Sequence, residues 1–387
     1  MPIFSSRILS LIFPIVSIFG VYIVSNLFLN TGHYQFFQEL QNGSEPFIFP
    51  DGTTLQTFYT GITPLDQYLT NLQLIFASVI DGSNLELSLL GLHFGGIMFA
   101  LFAVMLVEAL RSGRKRDMAV FALFGLAIQY CGYFVTMPLY CYVRLLATQR
   151  DSNQASPAAF AKVPDSAIRI IPFSLIVGYV VPSIIMCWPS LPGQSRQFAV
   201  AFWQNFPLWT CLVQASAQKI CDNAVSSKSQ DSAHRLAATR SAVSQTYTIS
   251  LIIYTAIHIA ASLPIIAASL SPDMLFSAST GAALHWKRFL IPPMWTSTVQ
   301  ISGIADGAGN FLRYDYYIGT LAALIWAAVS FCDIQMTITH EKHSVMKDIL
   351  KVVMWGVVGG PGAALLIMMS IREDFRFSVI ETSKMSH

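Results

Sequence analysis

The chain has 387 residues, of which 54% are hydrophobic and 11% charged, with a formal net charge of +2. A soluble domain carries roughly 25% charged residues, so the composition excludes an ordinary water-soluble globule and points to an integral membrane protein. The near-neutral charge, with no basic block carrying interleaved aromatics and no Gly-rich phosphate loop, argues against nucleic-acid binding and nucleotide chemistry.

The fold expected is all-α, a single polytopic membrane helical bundle over residues 1–387. About 20 apolar residues are needed to cross hydrocarbon as a helix. Eight stretches qualify: 8–29, 87–110, 118–147, 168–188, 198–218, 245–270, 316–336 and 349–371. The first is too long for a signal-peptide core and lacks a good cleavage site, so it reads as a retained signal-anchor helix. Residues 30–86 contain no Lys or Arg, only Glu39, Glu45, Asp51, Asp66, Asp81 and Glu86 as charges. The next connection, RSGRKRD at 111–117, is strongly basic. The positive-inside rule therefore places 111–117 in the cytosol and 30–86 in the lumen. The sequon at Asn42, usable only on the lumenal side, agrees. Within that segment Leu65, Leu69, Leu72 and Phe76 recur at helical spacing, which predicts a short interfacial helix over 65–80.

Pro138, Pro182, Pro207, Pro264 and the Gly359–Gly362 run predict kinks and close packing inside spans rather than chain breaks. Simple alternation then places 271–314 and the C-terminus in the cytosol, with Glu108 and Asp315 near that face and Asp81 and Asp333 near the lumen. One segment resists: 219–242 carries Lys219, Lys228, Arg235 and Arg240, yet alternation makes it lumenal.

The six cysteines form no CxxC pair, and no diphosphate-binding acidic motif, HExxH or GxSxG occurs, so neither a metal nor another cofactor is expected. Attention falls on ionisable groups at membrane depth, which are functional hypotheses by default because burial is costly. The candidate acids are Asp315, Asp81, Glu108 and Asp333. Each has a plainer reading. Asp81 opens a DGSN turn. Glu108 can pair with Arg111. Asp315 near a helix N-terminus suits the dipole. Asp315 and Asp333 lie 18 positions apart on one helix face, so they are roughly 27 Å apart and cannot cooperate. Between them Gly319, Ala322, Trp326 and Ser330 share the face expected to look into the bundle, with Leu321, Leu324, Ala328 and Phe331 opposite. The aromatic and amide set of Gln129, Tyr133, Tyr140, Trp203, Gln204, Trp209 and Trp326 fits either helix-to-helix glue or a pocket stabilising an apolar cation. His93 and His258 read as packed histidines.

The stretches ITPLDQYLTNLQLIFASVIDGSN, GLAIQYCGYFVTMPLYC, IPFSLIVGYVVPSIIMCWPS, FWQNFPLWTCLVQ and FLRYDYYIGTLAALIWA together resemble fungal eight-helix integral membrane terpene cyclases of meroterpenoid pathways, of the ascochlorin and ascofuranone type. These are related to membrane proteins of paxilline-type indole-diterpene pathways. The resemblance runs from about residue 60 to 370. It implies metal-independent, acid-initiated cyclisation of a prenylated aromatic bearing a terminal epoxide on a farnesyl chain. Asp81, Asp315, Gln129, Tyr140, Trp203 and Gln204 stand at matching positions. It further implies a lipophilic prenylated substrate, a setting among membrane lipid in the endoplasmic reticulum, and an upstream epoxidase or prenyltransferase in the same membrane. The alternative is a non-catalytic accessory or transport protein of the same kind of pathway.

Overall fold

A computed structural model describes residues 9–42, 46–111, 115–152, 165–224, 232–271, 275–338 and 345–385. Their architecture is helical throughout. The β pairing among them is one isolated antiparallel bridge, Ile48–Thr54. Five helices are long and apolar enough to cross a membrane.

The central post is α4 (Leu85–Arg111), preceded by α1 (Ile12–Asn30), α2 (His33–Asn42) and α3 (Thr63–Ile80). From Ile97 to Leu106 the side chains of α4 are at most 5% exposed. A helix apolar all round can do this only if neighbours surround it. Its ends define two ends of the bundle, one at Glu86 and one at Glu108. The predicted 65–80 helix is present as α3, with Pro64 in its first turn and Leu69, Leu72 and Leu74 buried.

The predicted span 118–147 is not one helix. It is a hairpin of α5 (Lys115–Cys131) and α6 (Tyr133–Ser152) reversing at Gly132. Gly132 has φ +92°, a left-handed conformation that side chains disfavour. The Thr136 hydroxyl donates to the Ala127 carbonyl at 3.0 Å. In one straight helix those residues would stand roughly 13 Å apart. Arg144 then returns to Glu108 at 2.7 Å, so both ends of the hairpin lie at the Glu108 end.

The chain next crosses as α7 (Asp165–Leu175), a π-helical turn at Ile176–Val180 and α8 (Val181–Met186). It returns as α9 (Gly193–Trp203) and α10 (Phe206–Ala224), where the predicted 198–218 span is interrupted at Gln204–Asn205. α11 (Ser232–Leu270) crosses once more, and α12 (Ala278–Leu284) and α13 (Trp286–Leu290) cover the Glu86 end. α14 (Ile304–Ile338) runs back toward the Glu108 end. α15 (Val345–Gly359) and α16 (Pro361–Met385) form a second hairpin, reversing at Gly360 with φ +81° where one 349–371 span was expected.

The two reversals correct the alternation. Because the α5–α6 hairpin enters and leaves at one end, the helix ends flanking 225–231 fall at the Glu108 end, with the end of α4 and the start of α5. Lys219, Arg235 and Arg240, on those flanking helices, therefore no longer conflict with the basic side, and Lys228 lies outside the described residues. Conversely, residues around 300 join the 30–86 segment instead of opposing it. Gln300 Nε2 donates to the Asn30 carbonyl at 3.0 Å, Ile301 N–H to the Thr31 carbonyl at 3.1 Å, and Arg313 pairs with Glu86. Asp315 and Asp81 thus share the Glu86 end, and Asp333 lies toward the other, the reverse of the expected sides for Asp315 and Asp333.

Candidate active site

Backbone that departs from the α-helix at membrane depth persists only where protein or a lined cavity satisfies it. Three such departures converge here: the Gly132 reversal, the Gln204–Asn205 interruption and the π turn at 176–180. The Tyr130 hydroxyl donates to Asn205 Oδ1 at 3.0 Å, joining the first two. A Cβ on Gly178 would sit 2.6 Å from the Thr210 backbone, so glycine lets the π turn press directly onto α10.

Aromatic side chains line the region they enclose. Trp203 meets Phe76 at 5.4 Å, Phe206 at 5.4 Å and Tyr179 at 6.2 Å between ring centroids. Phe94 meets Tyr133 at 5.6 Å and Tyr316 at 5.8 Å. Tyr68 lies 5.3 Å from Tyr130, and its hydroxyl donates to the Gln129 carbonyl at 2.9 Å. Trp203 Nε1 donates to Ser183 Oγ at 2.8 Å and the Tyr179 hydroxyl to the Gly95 carbonyl at 2.8 Å, which fixes both rings. Phe76, Phe94 and Tyr130 are only half-buried although they face this interior. Gln204 is 1% exposed, and neither its amide oxygen nor its nitrogen has a partner; Thr210 Oγ1 is likewise unpartnered. Leaving such groups unpaired costs about 1–3 kcal/mol each, so Gln204 and Thr210 carry unused hydrogen-bonding capacity here.

Asp315 is the carboxyl at this interior. It is 6% exposed, and its Oδ1 accepts the Phe134 N–H at 2.7 Å. That N–H is one of the unpaired donors at the start of α6, so Asp315 caps the hairpin from the facing helix. Gly132 at the reversal brings the backbone to it: a Cβ there would lie 3.5 Å from Asp315 Oδ1. Among the described residues no Arg or Lys pairs with Asp315. The stripe predicted on this helix is observed: Gly319, Ala322, Trp326 and Ser330 are buried with Asp315, and Leu321 is exposed. Gly319 leaves the space that the Tyr133 ring fills, since a Cβ would meet that ring at 2.3 Å. Phe331, expected on the outer face, is buried against Ile367 and Ile371, because the second hairpin covers it.

The other expected acids are elsewhere. Glu108 sits in a buried ion network. Arg111 and Arg144 each reach it at 2.7 Å and Arg372 pairs with it closely, while Glu373 takes Arg111 at 2.6 Å and Arg372 at 2.8 Å. Three guanidinium groups pair with Glu108, so it ties α4, α6 and α16 together. Asp81 ends α3, its Oδ1 accepting the Ser83 N–H at 2.8 Å and hydroxyl at 2.7 Å, which is the turn role. Asp333 is half-buried toward the Glu108 end. Asp66 is spoken for as well. Burial pushes its carboxyl up, but the Thr60 N–H and hydroxyl and the Gly61 N–H outweigh this and hold it below the ordinary range.

Of the aromatic and amide candidates, Gln129, Tyr133, Trp203 and Gln204 gather at the interior. Tyr140 and Trp326 pair with each other at 5.7 Å one layer nearer the ion network. Trp209 stacks on exposed Phe202 at 4.6 Å on the outer side of the helix break. Asn42 ends α2, and the rest of its sequon lies outside the described residues. Phe94, Tyr68 and Tyr179 escaped sequence reasoning because single aromatics in apolar runs carry no period of their own, and Phe76 enters it only through the helical spacing of 65–80. Arg372 and Glu373 escaped because their partners are about 260 positions away. No three His, Cys, Asp or Glu side chains converge as metal ligands would among the described residues.

This bundle, with its broken helices around an aromatic interior, has recognisable kin. The CtvD domain model matches residues 9–377, and the chain belongs to that family. Among curated proteins it is similar to terpene cyclase ascI of Acremonium egyptiacum, 29% identical over 360 residues, 90% of this chain and 87% of that protein. It is also similar to terpene cyclase ctvD of Aspergillus terreus, 28% identical over 325 residues, 81% of this chain and 85% of the relative. Terpene cyclase penA of Penicillium crustosum is 26% identical over 276 residues, 70% of this chain and 71% of the relative. No solved structure matches the chain.

Proposed function

We propose that the chain is a membrane-bound terpene cyclase that begins ring closure by proton donation from Asp315. The observation that carries this reading is a buried carboxyl with no cationic partner among the described residues, set beside an aromatic interior, in a family whose curated members are named terpene cyclases. The substrate class is a prenylated aromatic with a terminal epoxide. The Asp315 carboxyl gives its proton to the epoxide oxygen, a C–O bond breaks, and the positive charge formed on carbon is attacked by the next double bond. The chain's alkenes supply the electrons for each ring, and loss of a proton from carbon ends the sequence. Phe76, Phe94, Tyr133, Tyr179 and Trp203 present ring faces that stabilise the moving cation without trapping it as a covalent adduct. Gln204 supplies hydrogen-bonding groups to hold a substrate oxygen.

The test separates capping from acid chemistry. Asp315→Asn keeps an oxygen to accept the Phe134 N–H but has no carboxyl proton to give. Microsomes carrying it should hold folded protein and form no product from a farnesyl-epoxide quinol, read by mass spectrometry. Turnover at the wild-type rate would leave Asp315 as a cap alone. Trp203→Leu should change the product ratio, because it removes the ring between Phe76, Tyr179 and Phe206.

The Glu108 end faces the cytosol in this reading, since it gathers the basic connections. The Glu86 end, with the Asn42 sequon, then faces the lumen of the endoplasmic reticulum, and glycosylation at Asn42 follows. An epoxidase or prenyltransferase in the same membrane would supply the substrate.

A further inference from the structure

At the Glu86 end a recess of about 310 Å³ opens to the outside, between the start of α4, the start of α14 and the segment after α13. Its lining is unlike the rest of this apolar chain, with Glu86, Arg288, Arg313, Asn84, Asn310 and Gln300 among its walls. We propose that it seats the polar aromatic head of an amphipathic substrate, a ring carrying phenolic or carbonyl oxygens, while the apolar tail passes inward. This rests on the cyclase reading and adds to it a second subsite.

Three observations carry the inference. The first is rigidity. Arg313 is 6% exposed, donates from Nε to the Phe289 carbonyl at 2.9 Å and pairs with Glu86, so the floor is fixed before anything binds. The second is the unused polar capacity at the rim. The Arg288 side chain is 65% exposed with one distant contact, 3.6 Å to Glu86, and the Asn310 side chain makes no hydrogen bond among the described residues. A neutral or anionic oxygen function can take donors from both. The third is continuity. Leu87 and Arg313 line the recess, and one to two turns further along the same helix faces stand Phe94 and Tyr316, which meet each other and, through Phe94, Tyr133. A head at Arg288 and Asn310 therefore lies one to two helical turns from the aromatic interior where Asp315 lies. The volume is within the range of small-molecule sites and suits one substituted ring, not a whole prenylated molecule.

Binding of a head-group mimic, measured apart from turnover, tests this. Full-length protein in nanodiscs is titrated with hexylresorcinol and with hexylbenzene by calorimetry, with empty nanodiscs subtracted. Wild type should bind hexylresorcinol saturably. Arg288→Ala and Asn310→Leu should each weaken it at least tenfold, and Asp315→Asn should leave it unchanged. Hexylbenzene should show no dependence on any of the three. Arg288 lies at the exposed rim, so its variant folds and decides the matter should Asn310→Leu fail to. Absence of saturable binding to wild type, or unchanged affinity in Arg288→Ala, overturns the assignment. A cyclase reading that fails at Asp315 would leave these titrations as they are, so the two failures are distinguishable.

Discussion

Replacing Glu108 by Gln separates a structural carboxylate from a catalytic one. The side chains of Glu108, Arg372 and Glu373 are 3%, 2% and 8% exposed, and Arg111 and Arg144 are 10% and 14% exposed. Glu108→Gln removes one of two carboxylates facing this cluster and leaves the guanidinium groups of Arg111, Arg144, Arg372 and Arg376 around Glu373 and an amide. Breaking a buried ion pair by removing one partner costs about 3–5 kcal/mol. The amide oxygen can still accept one hydrogen bond, so about 3 kcal/mol is the expectation. That is a large share of a folded domain's roughly 5–15 kcal/mol, and it should lower the unfolding temperature by roughly 5 °C or more. Unfolding of the solubilised full-length protein, followed by tryptophan fluorescence, reads this directly. Arg372→Met should cost a similar amount, and the double variant less than the sum, because the two changes remove the same interaction. An unfolding temperature within 1 °C of wild type, combined with lost turnover, would refute the structural assignment and return Glu108 to the chemistry.

Gly132→Ala should destabilise the fold by about 1–3 kcal/mol from its left-handed backbone alone, and more from the Phe134 ring, whose atoms lie 2.7 Å and 2.9 Å from the added Cβ. The same assay checks it. His33 is 1% exposed between Phe28 and Phe37 with neither ring nitrogen partnered, and burial lowers its pKa from the ordinary 6.5 to about 4. The folded state holds it neutral, so its contribution is fully present above pH 6.5 and is lost as pH falls toward 4, about 3 kcal/mol in all. His33→Phe should flatten stability over that window, and an unchanged acid slope would refute the assignment. Asp81→Asn should leave both stability and turnover at wild-type levels, since an Asn oxygen accepts the same Ser83 bonds.

Fold class was legible because it depends on composition and run length, which local residues report. The inward stripe of α14 was legible for a related reason: Asp315, Gly319, Ala322, Trp326 and Ser330 follow one helix period, and burial follows that period. Topology was not. Gly132 stands inside an apolar run with no polar turn around it, and its reversal is stabilised from outside, by a carboxylate that comes 183 positions later. The same holds for Gly360, which reverses beside the His258 ring, 2.5 Å from where a Cβ would sit. A glycine between two apolar helices reads equally well as a packing contact or as a hairpin tip, and only the partner decides. The sequence did carry one sign of the miscount, the basic residues of 219–242 on the side where alternation did not allow them.

Asp315 is where these two kinds of information meet. A carboxyl that capped a helix and did nothing else would have no reason to stand within an aromatic interior, because Ser, Thr or Asn caps as well. A carboxyl that served only as an acid would have no reason to accept a backbone N–H. Here the Phe134 N–H holds the side chain in one orientation through Oδ1, and the reversal at Gly132 brings the backbone against it, 3.5 Å from Oδ1 to where a Cβ would sit. Positioning a donor in advance removes reorganisation from the reacting step. That is why the Asn variant is the informative one: it preserves the position and deletes only the proton.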